Sequence, residues 1–207
     1  MEQKFFSLDQ DKQDKILNAA LTEFAMKGYK NASTNEIVKE AGISKGLLFH
    51  YFSNKKELYL FLFDHFVAIL IKKMKQEVNW EVKDIFDRNR ELAAVKIELF
   101  YQYPQVFDFF NGIYFEENKE VSRELEKRKH GFLTHNYKDM MKDIDTSQFK
   151  EEVEVEKVVD IITWSLEGFS NRIQAEVKGM KLQEINLEKT LSELDEYLEV
   201  LKKSFYK

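Results

Sequence analysis

Apolar residues recur at three- and four-residue steps along almost the whole chain, the spacing of helices that each bury one face. Ile16, Leu17, Ala20, Leu21, Phe24 and Ala25 predict a first helix over about residues 9–27. Ser7 and Gln10 read as a capping box at its start, and Gly28 suits the left-handed position past its end. Ser33 and Glu36 form a second capping box and open a short helix that Gly42 stops, and Ser44 caps a third, running to Phe52. Asn54 with Glu57 opens a fourth, which Leu58, Phe61, Leu62, His65, Phe66 and Ile69 carry to about residue 76. Beyond it the pattern predicts long helices at about 82–102, 104–115, 118–143, 151–178 and 187–205. Pro104 ends one of these and takes the first position of the next.

The expected fold is therefore all-α, about nine helices, with a small unit at 1–55 and a larger one at 56–207. One Pro and seven Gly leave little material for hairpin turns, which strengthens that reading. The three helices before residue 55, with a glycine turn between the second and third, have the outline of a helix-turn-helix. Spacing alone fits three plainly packed helices equally well.

Composition narrows the function. With no cysteine, disulfides, thiolate metal sites and a Cys nucleophile are all excluded. The first residues lack the apolar core of a signal peptide, and the longest apolar runs, such as FVAILI at 66–71, are too short to span a bilayer, so a soluble cytoplasmic protein is expected. The net charge of −5 is unevenly spread. Residues 1–56 carry nine Lys against seven acids, and residues 57–207 carry 23 basic against 30 acidic side chains. A basic end on an acidic body suits a localised phosphate contact better than general coating of nucleic acid.

The stretch GLLFHYFSNKKELY, 46–59, concentrates the candidate chemistry. Ile43, Leu47, Leu48 and Phe52 can point inward, leaving Lys45, Phe49, His50 and Tyr51 toward the outside. Two helix N-termini, at Ser44 and Asn54, with Lys and Tyr donors around them, are what a phosphate backbone asks for. Gly46 lets the backbone come close to a partner at a helical cost of roughly 1 kcal/mol relative to Ala.

At this point ILNAALTEFAMKGYKNASTNEIVKEAGISKGLLFHYFSNKKELY resembles the DNA-binding domain of the tetracycline-repressor (TetR) family over residues 12 to about 62. The resemblance rests on the AAxxxFxxxGY of the first helix, Thr34 and Ile37 of the second, Ala41-Gly42 at the turn, SKGLLFHYF, and NKKEL at the entry to the fourth. It implies that the helix from Ser44 to Phe52 enters the major groove, with Lys45 and Leu47 nearest to base edges. Thr34, His50, Tyr51 and Lys55 match phosphate-holding positions. Phe49 departs from the family's usual Tyr and either lies against DNA without a hydroxyl or packs between the third and fourth helices. No Arg precedes Arg88, so base reading would rely on Lys45, thymine methyls and groove shape.

For the larger part the resemblance implies a ligand-binding and dimerisation domain without naming a ligand. Phe86, Phe100, Tyr101, Tyr103, Phe107, Phe110, Tyr114 and Trp164 are candidate walls of an apolar or aromatic effector's pocket, though aromatic residues at helical spacing also build ordinary cores. Asn111, His130, His135, Asn171 and Arg172 are candidate polar contacts. Glu126 and His130 share a face, but the spacing to His135 does not make a metal site, and no cofactor is expected.

Leu187, Leu191, Leu194, Leu198 and Leu201 form an a/d seam, and the preceding helix offers Ile161, Ser165, Gly168 and Phe169. Together they resemble the family's two-fold interface between protomers; intramolecular packing is the alternative.

The expectation is thus a homodimeric DNA-binding transcriptional regulator, most simply a ligand-released repressor on a palindromic operator. Activation or corepressor dependence on the same fold is the alternative. An all-α enzyme or carrier is disfavoured by the lack of a Ser-His-Asp order or a Gly-rich phosphate loop, and an architectural DNA binder by the acidic larger part.

Overall fold

The computed structural model describes residues 2–131 and 138–207. They form α1 (Glu2–Phe5), α2 (Gln10–Asn31), α3 (Thr34–Ala41), α4 (Lys45–Tyr51), α5 (Lys55–Glu77), α6 (Ile85–Gln102), α7 (Pro104–Tyr114), α8 (Ser122–Gly131), α9 (Lys138–Met140), α10 (Val155–Glu176) and α11 (Leu187–Phe205). Nine of these have seven residues or more, and no strand occurs among the described residues.

Local chemistry explains most of the boundaries. Asn54 accepts from the Glu57 amide at 2.9 Å and Ser44 from the Leu47 amide at 3.1 Å, as capping predicts. Gly42 sits at φ 67° where α3 stops, a conformation open to glycine without a Cβ clash. Gly28 also has positive φ, but the backbone resumes helical bonding beyond it to Asn31, so it kinks α2 instead of ending it. Two expected capping boxes are absent. Asp9, not Ser7, accepts from Lys12 at 3.0 Å, because the Ser7 hydroxyl closes α1 by donating to the Lys4 carbonyl. Ser33 makes no side-chain cap; its amide donates instead to the buried Glu23 carboxylate, 2.8 Å away.

The helix expected over 118–143 is described as α8, ending at Gly131; residues 132–137 lie outside the described residues. After α9 the backbone turns, with Asp145 donating its amide to the Lys83 carbonyl at 2.9 Å.

The described chain groups into two compact units, one of residues 1–69 and 103–132, the other of 70–102 and 133–207. This differs from a boundary at 55/56: α5 runs on in the first unit to residue 69, and α7 and α8 return to it. The reason is side-chain pairing across long sequence separation. The Tyr59 ring meets Phe109 edge-on at 5.4 Å, the Tyr29 hydroxyl donates to Glu120 at 2.7 Å, and Arg128 pairs with Asp64 at 3.0 Å.

In the first unit Ile16, Ala20, Phe24, Ile37, Leu48, Leu58 and Leu62 fill the core. Phe5 joins it, its ring 5.2 Å from Phe52 and 5.3 Å from Phe61, so the first residues strap the end of α4 to α5. In the second unit α6, α10 and α11 bury Ile85, Phe86, Val158, Ile162, Leu194 and Leu198 together with Phe149 and Tyr206. Arg88 is also enclosed there, its guanidinium donating to the carbonyls of Trp80, Val82 and Met140 and lying against the Trp80 ring. Among the described residues no helix is long and apolar enough to cross a membrane.

Candidate nucleic-acid interface

The glycine turn projects α4 so that one side faces the core and the other faces out. Leu48 is fully enclosed, and Phe52 follows it inward. Ser44, Lys45, Gly46 and His50 are exposed, and Leu47 and Phe49 are half-buried. The exposed residues of the helix start therefore include a serine hydroxyl, a lysine ammonium and a glycine. Nothing inside the fold requires that glycine: an added Cβ would meet only Ser44 Oγ, at 4.0 Å, and its φ is not positive.

Phe49 stands one turn after Lys45, and the Lys45 ammonium lies 5.9 Å from the centre of its ring. The ring thus gives the lysine a loose cation-π platform.

Two residues matched to phosphate-holding positions have partners within the fold. Tyr51 is only 8% exposed and meets Phe5 and His50 edge-on, because α1 covers it. Lys55 donates its ammonium to the Lys30 and Ala32 carbonyls at 3.2 and 3.1 Å and sits 4.8 Å over the Tyr29 ring. That cation closes the C-terminal end of α2, where it also meets the negative end of the helix dipole. Thr34, at the start of α3, is half-buried.

Tyr29 binds this end of the domain together. Its amide donates to Glu116 and its hydroxyl to Glu120, and burial with these two carboxylates raises its pKa above the usual tyrosine range. Sequence reasoning missed this cluster and the Phe5 strap. The acid partners are 87 and 91 residues away, so no periodicity signals them.

The residues expected to wall an effector pocket are not gathered within either unit. Phe86 is enclosed in the core of the second unit against Tyr206, a packing residue. Phe100 is buried in the same unit, whereas Tyr101 and Asn171 are exposed on their helices. In the first unit Phe107 is buried, Phe110 packs on Phe63 at 5.7 Å, and Tyr103 and Tyr114 are exposed. Trp164 is 65% exposed, because it falls on the outer stripe of α10. Asn111 is buried and His130 exposed, while His135 lies outside the described residues. Arg172 is engaged by Glu176 and Glu193 at 2.7 Å each. No cluster of three metal-ligating side chains occurs among the described residues.

The leucine seam of α11 divides by depth. Leu194 and Leu198 are buried in their own subunit against α6 and α10, and Leu191 and Leu201 pack half-buried beside them. All four thus pack within the chain, Leu194 and Leu198 fully and Leu191 and Leu201 in part. The outward residues are Ile161, Trp164, Ser165 and Gly168 on α10 and Tyr197 and Val200 on α11, with Phe169 half-buried and edge-on to Tyr197 at 5.6 Å.

Residues 16–61 match the family model described as bacterial regulatory proteins, tetR family. Over this segment the chain is similar to the tetR family. The match covers α2 from Ile16 through α3 and α4 into α5, the whole of the exposed α4 surface included. A relative named as the transcriptional activator FasR of Mycolicibacterium smegmatis is 30% identical over 93 residues, 45% of this chain and 40% of that protein. The chain thus spans well under two thirds of that relative. Two solved tetR-like structures share the fold over nearly their full lengths. A putative TetR-family regulator from Mesorhizobium loti gives a TM-score of 0.70 at 15% identity, covering 97% of this chain and all of that one. The regulator FadR of Bacillus subtilis, solved with stearoyl-CoA, gives 0.63 at 18% identity, covering 91% and 96%.

Proposed function

We propose that this chain is a sequence-specific, DNA-binding transcriptional regulator that works as a homodimer on a roughly palindromic operator and is released by a small apolar or aromatic ligand. The observation that carries the DNA-binding reading is the outward side of α4: Ser44, Lys45 and Gly46 exposed at a helix start, on a turn set by Gly42, within the stretch that matches the tetR family. Lys45 and the half-buried Leu47 are the base-edge candidates, with His50 and Thr34 at the backbone. Lys55 and Tyr51 act mainly by holding α4 in place. Phe49 supports Lys45 from below.

The dimer reading is supported by the apolar stripe on α10 and α11. Trp164, Val200 and Tyr197 are 65%, 62% and 49% exposed, and large apolar side chains clustered in that way mark a surface that is covered by another protein. Ile161, Ser165, Gly168 and Phe169 belong to the same stripe, and the small residues admit a close backbone approach. Two protomers present two copies of α4 to two half-sites. The stearoyl-CoA bound by the fold neighbour supports a ligand with a large apolar part. Release on binding requires only that the ligand prefer the state that does not fit DNA.

Activation is the second reading, favoured by the name of the FasR relative. Both readings share the same first test. The full chain is used to select from a random duplex pool, and two inverted half-sites in the enriched sequences are expected. Absence of enrichment at both low and moderate salt refutes sequence reading by α4 in the ligand-free chain, which a ligand-released repressor requires.

A further inference from the structure

The loop between α7 and α8 reaches the end of α2 with two carboxylates. Glu116 accepts the Tyr29 amide at 3.3 Å, and Glu120 accepts the Tyr29 hydroxyl at 2.7 Å. Asn118 fixes both: its amide donates to Glu116 at 2.9 Å, and its side chain accepts the Glu120 amide at 2.9 Å. The Asn118 carbonyl then accepts the Val121 and Ser122 amides, which turns the loop into α8. Glu116 is half-buried and Glu120 exposed, so neither side chain is needed to fill the core of this unit.

What Tyr29 supports lies toward the operator-reading helices. Its ring stands 4.8 Å from the Lys55 ammonium, which donates to the Lys30 and Ala32 carbonyls and so joins the start of α5 to the end of α2. Ser33 follows with its amide on Glu23, Thr34 opens α3, and Gly42 turns the chain into α4. At eight and seven residues, α3 and α4 are too short to hold a direction by themselves. Ile37 and Leu48 seat them in the core, and the ends of α2 and α5 that flank them fix how they are turned. Hydrogen bonds to a carboxylate are among the stronger polar ties, and both ties to Tyr29 belong to one loop.

We infer that this loop is a clasp on the DNA-reading helices: Glu120 and Glu116 are positioning residues that hold Tyr29, and through it Lys55 and the start of α3, in the arrangement that presents α4 to the operator. The inference rests on the DNA-binding reading of α4 and adds two residues far from α4 in sequence that control its presentation. Displacing the loop releases both ties together and leaves the core of the unit in place.

The test is fluorescence anisotropy of the full-length protein on the enriched operator and on random duplex, well below the melting midpoint. Tyr29→Phe and Glu120→Ala should each weaken operator binding about fivefold to tenfold, part of the worth of one charge-assisted hydrogen bond. Affinity for random duplex and its salt slope should stay as in the wild type, because no phosphate contact is removed. Glu120→Gln keeps an acceptor for the Tyr29 hydroxyl and should hold operator affinity within about twofold of the wild type. Both single changes break the same bond, so the double variant should bind no more weakly than the weaker single. Unchanged operator affinity in both singles, equal losses on operator and random duplex, or additive losses in the double variant each overturn the clasp and leave the DNA reading of α4 standing. A wild type that prefers no sequence removes that reading, and the inference with it.

Discussion

Replacing Gly46 with alanine separates packing from recognition. The glycine is the second residue of α4 and exposed, and the added methyl would meet nothing nearer than Ser44 Oγ at 4.0 Å. In a helix interior alanine is favoured over glycine by about 0.8–1.0 kcal/mol, and a first-turn position keeps roughly half of that. A gain of about 0.5 kcal/mol in a chain of this size raises the melting midpoint by about 1–2 °C. On DNA the methyl holds the start of α4 away from the duplex at the point where Lys45 and Leu47 must reach base edges. Loss of one good base contact costs about 1–3 kcal/mol, about 5- to 150-fold in Kd. The assay is fluorescence anisotropy on the selected operator, run beside a thermal melt. A variant that melts higher and binds more weakly meets the expectation. Unchanged affinity would refute close approach at residue 46, and a lower melting midpoint would refute the open space around it.

The remaining expectations concern the division between contact and support. Lys45→Ala should alter the enriched operator sequence, whereas Lys55→Ala should lower stability by about 1 kcal/mol in a melt without DNA, because two carbonyls at the end of α2 lose their donor. Trp164→Glu should yield monomers in sedimentation with the melting midpoint of the monomer kept. Leu198→Ala should instead cost about 2–5 kcal/mol of stability, since its side chain fills the subunit's own core. Stability should fall as pH rises past about 10: the folded pKa values of Tyr29, Tyr59 and Tyr206 are raised, so the unfolded chain releases these protons first. Tyr29→Phe should flatten that fall in chemical denaturation followed from pH 9 to 11, and an unchanged slope would refute the tie to Glu120.

Helical class, the start of α2, the approximate ends of α3 to α7, the glycine turn and the family likeness of α2 to α5 were all legible in the sequence. Each depends on local chemistry: capping, turn conformation and a period of about 3.6, which operate within a few residues. The outward side of α4 was legible at Lys45 and His50 for the same reason, since a helix seven residues long has only one side left once Leu48 and Phe52 face inward. What Tyr51 and Lys55 do was decided by tertiary structure. Phe5 covers the first, and the end of α2, folded back in space, captures the second. The leucine seam of α11 shows the limit most clearly. A period of 3.5 states that Leu194 and Leu198 want an apolar neighbour, but whether that neighbour is α6 of the same chain or a second protomer depends on which surfaces the fold leaves open. Periodicity reports that a face is buried. Only the packing of elements distant in sequence determines what buries it, and it was that packing which left Trp164 outside.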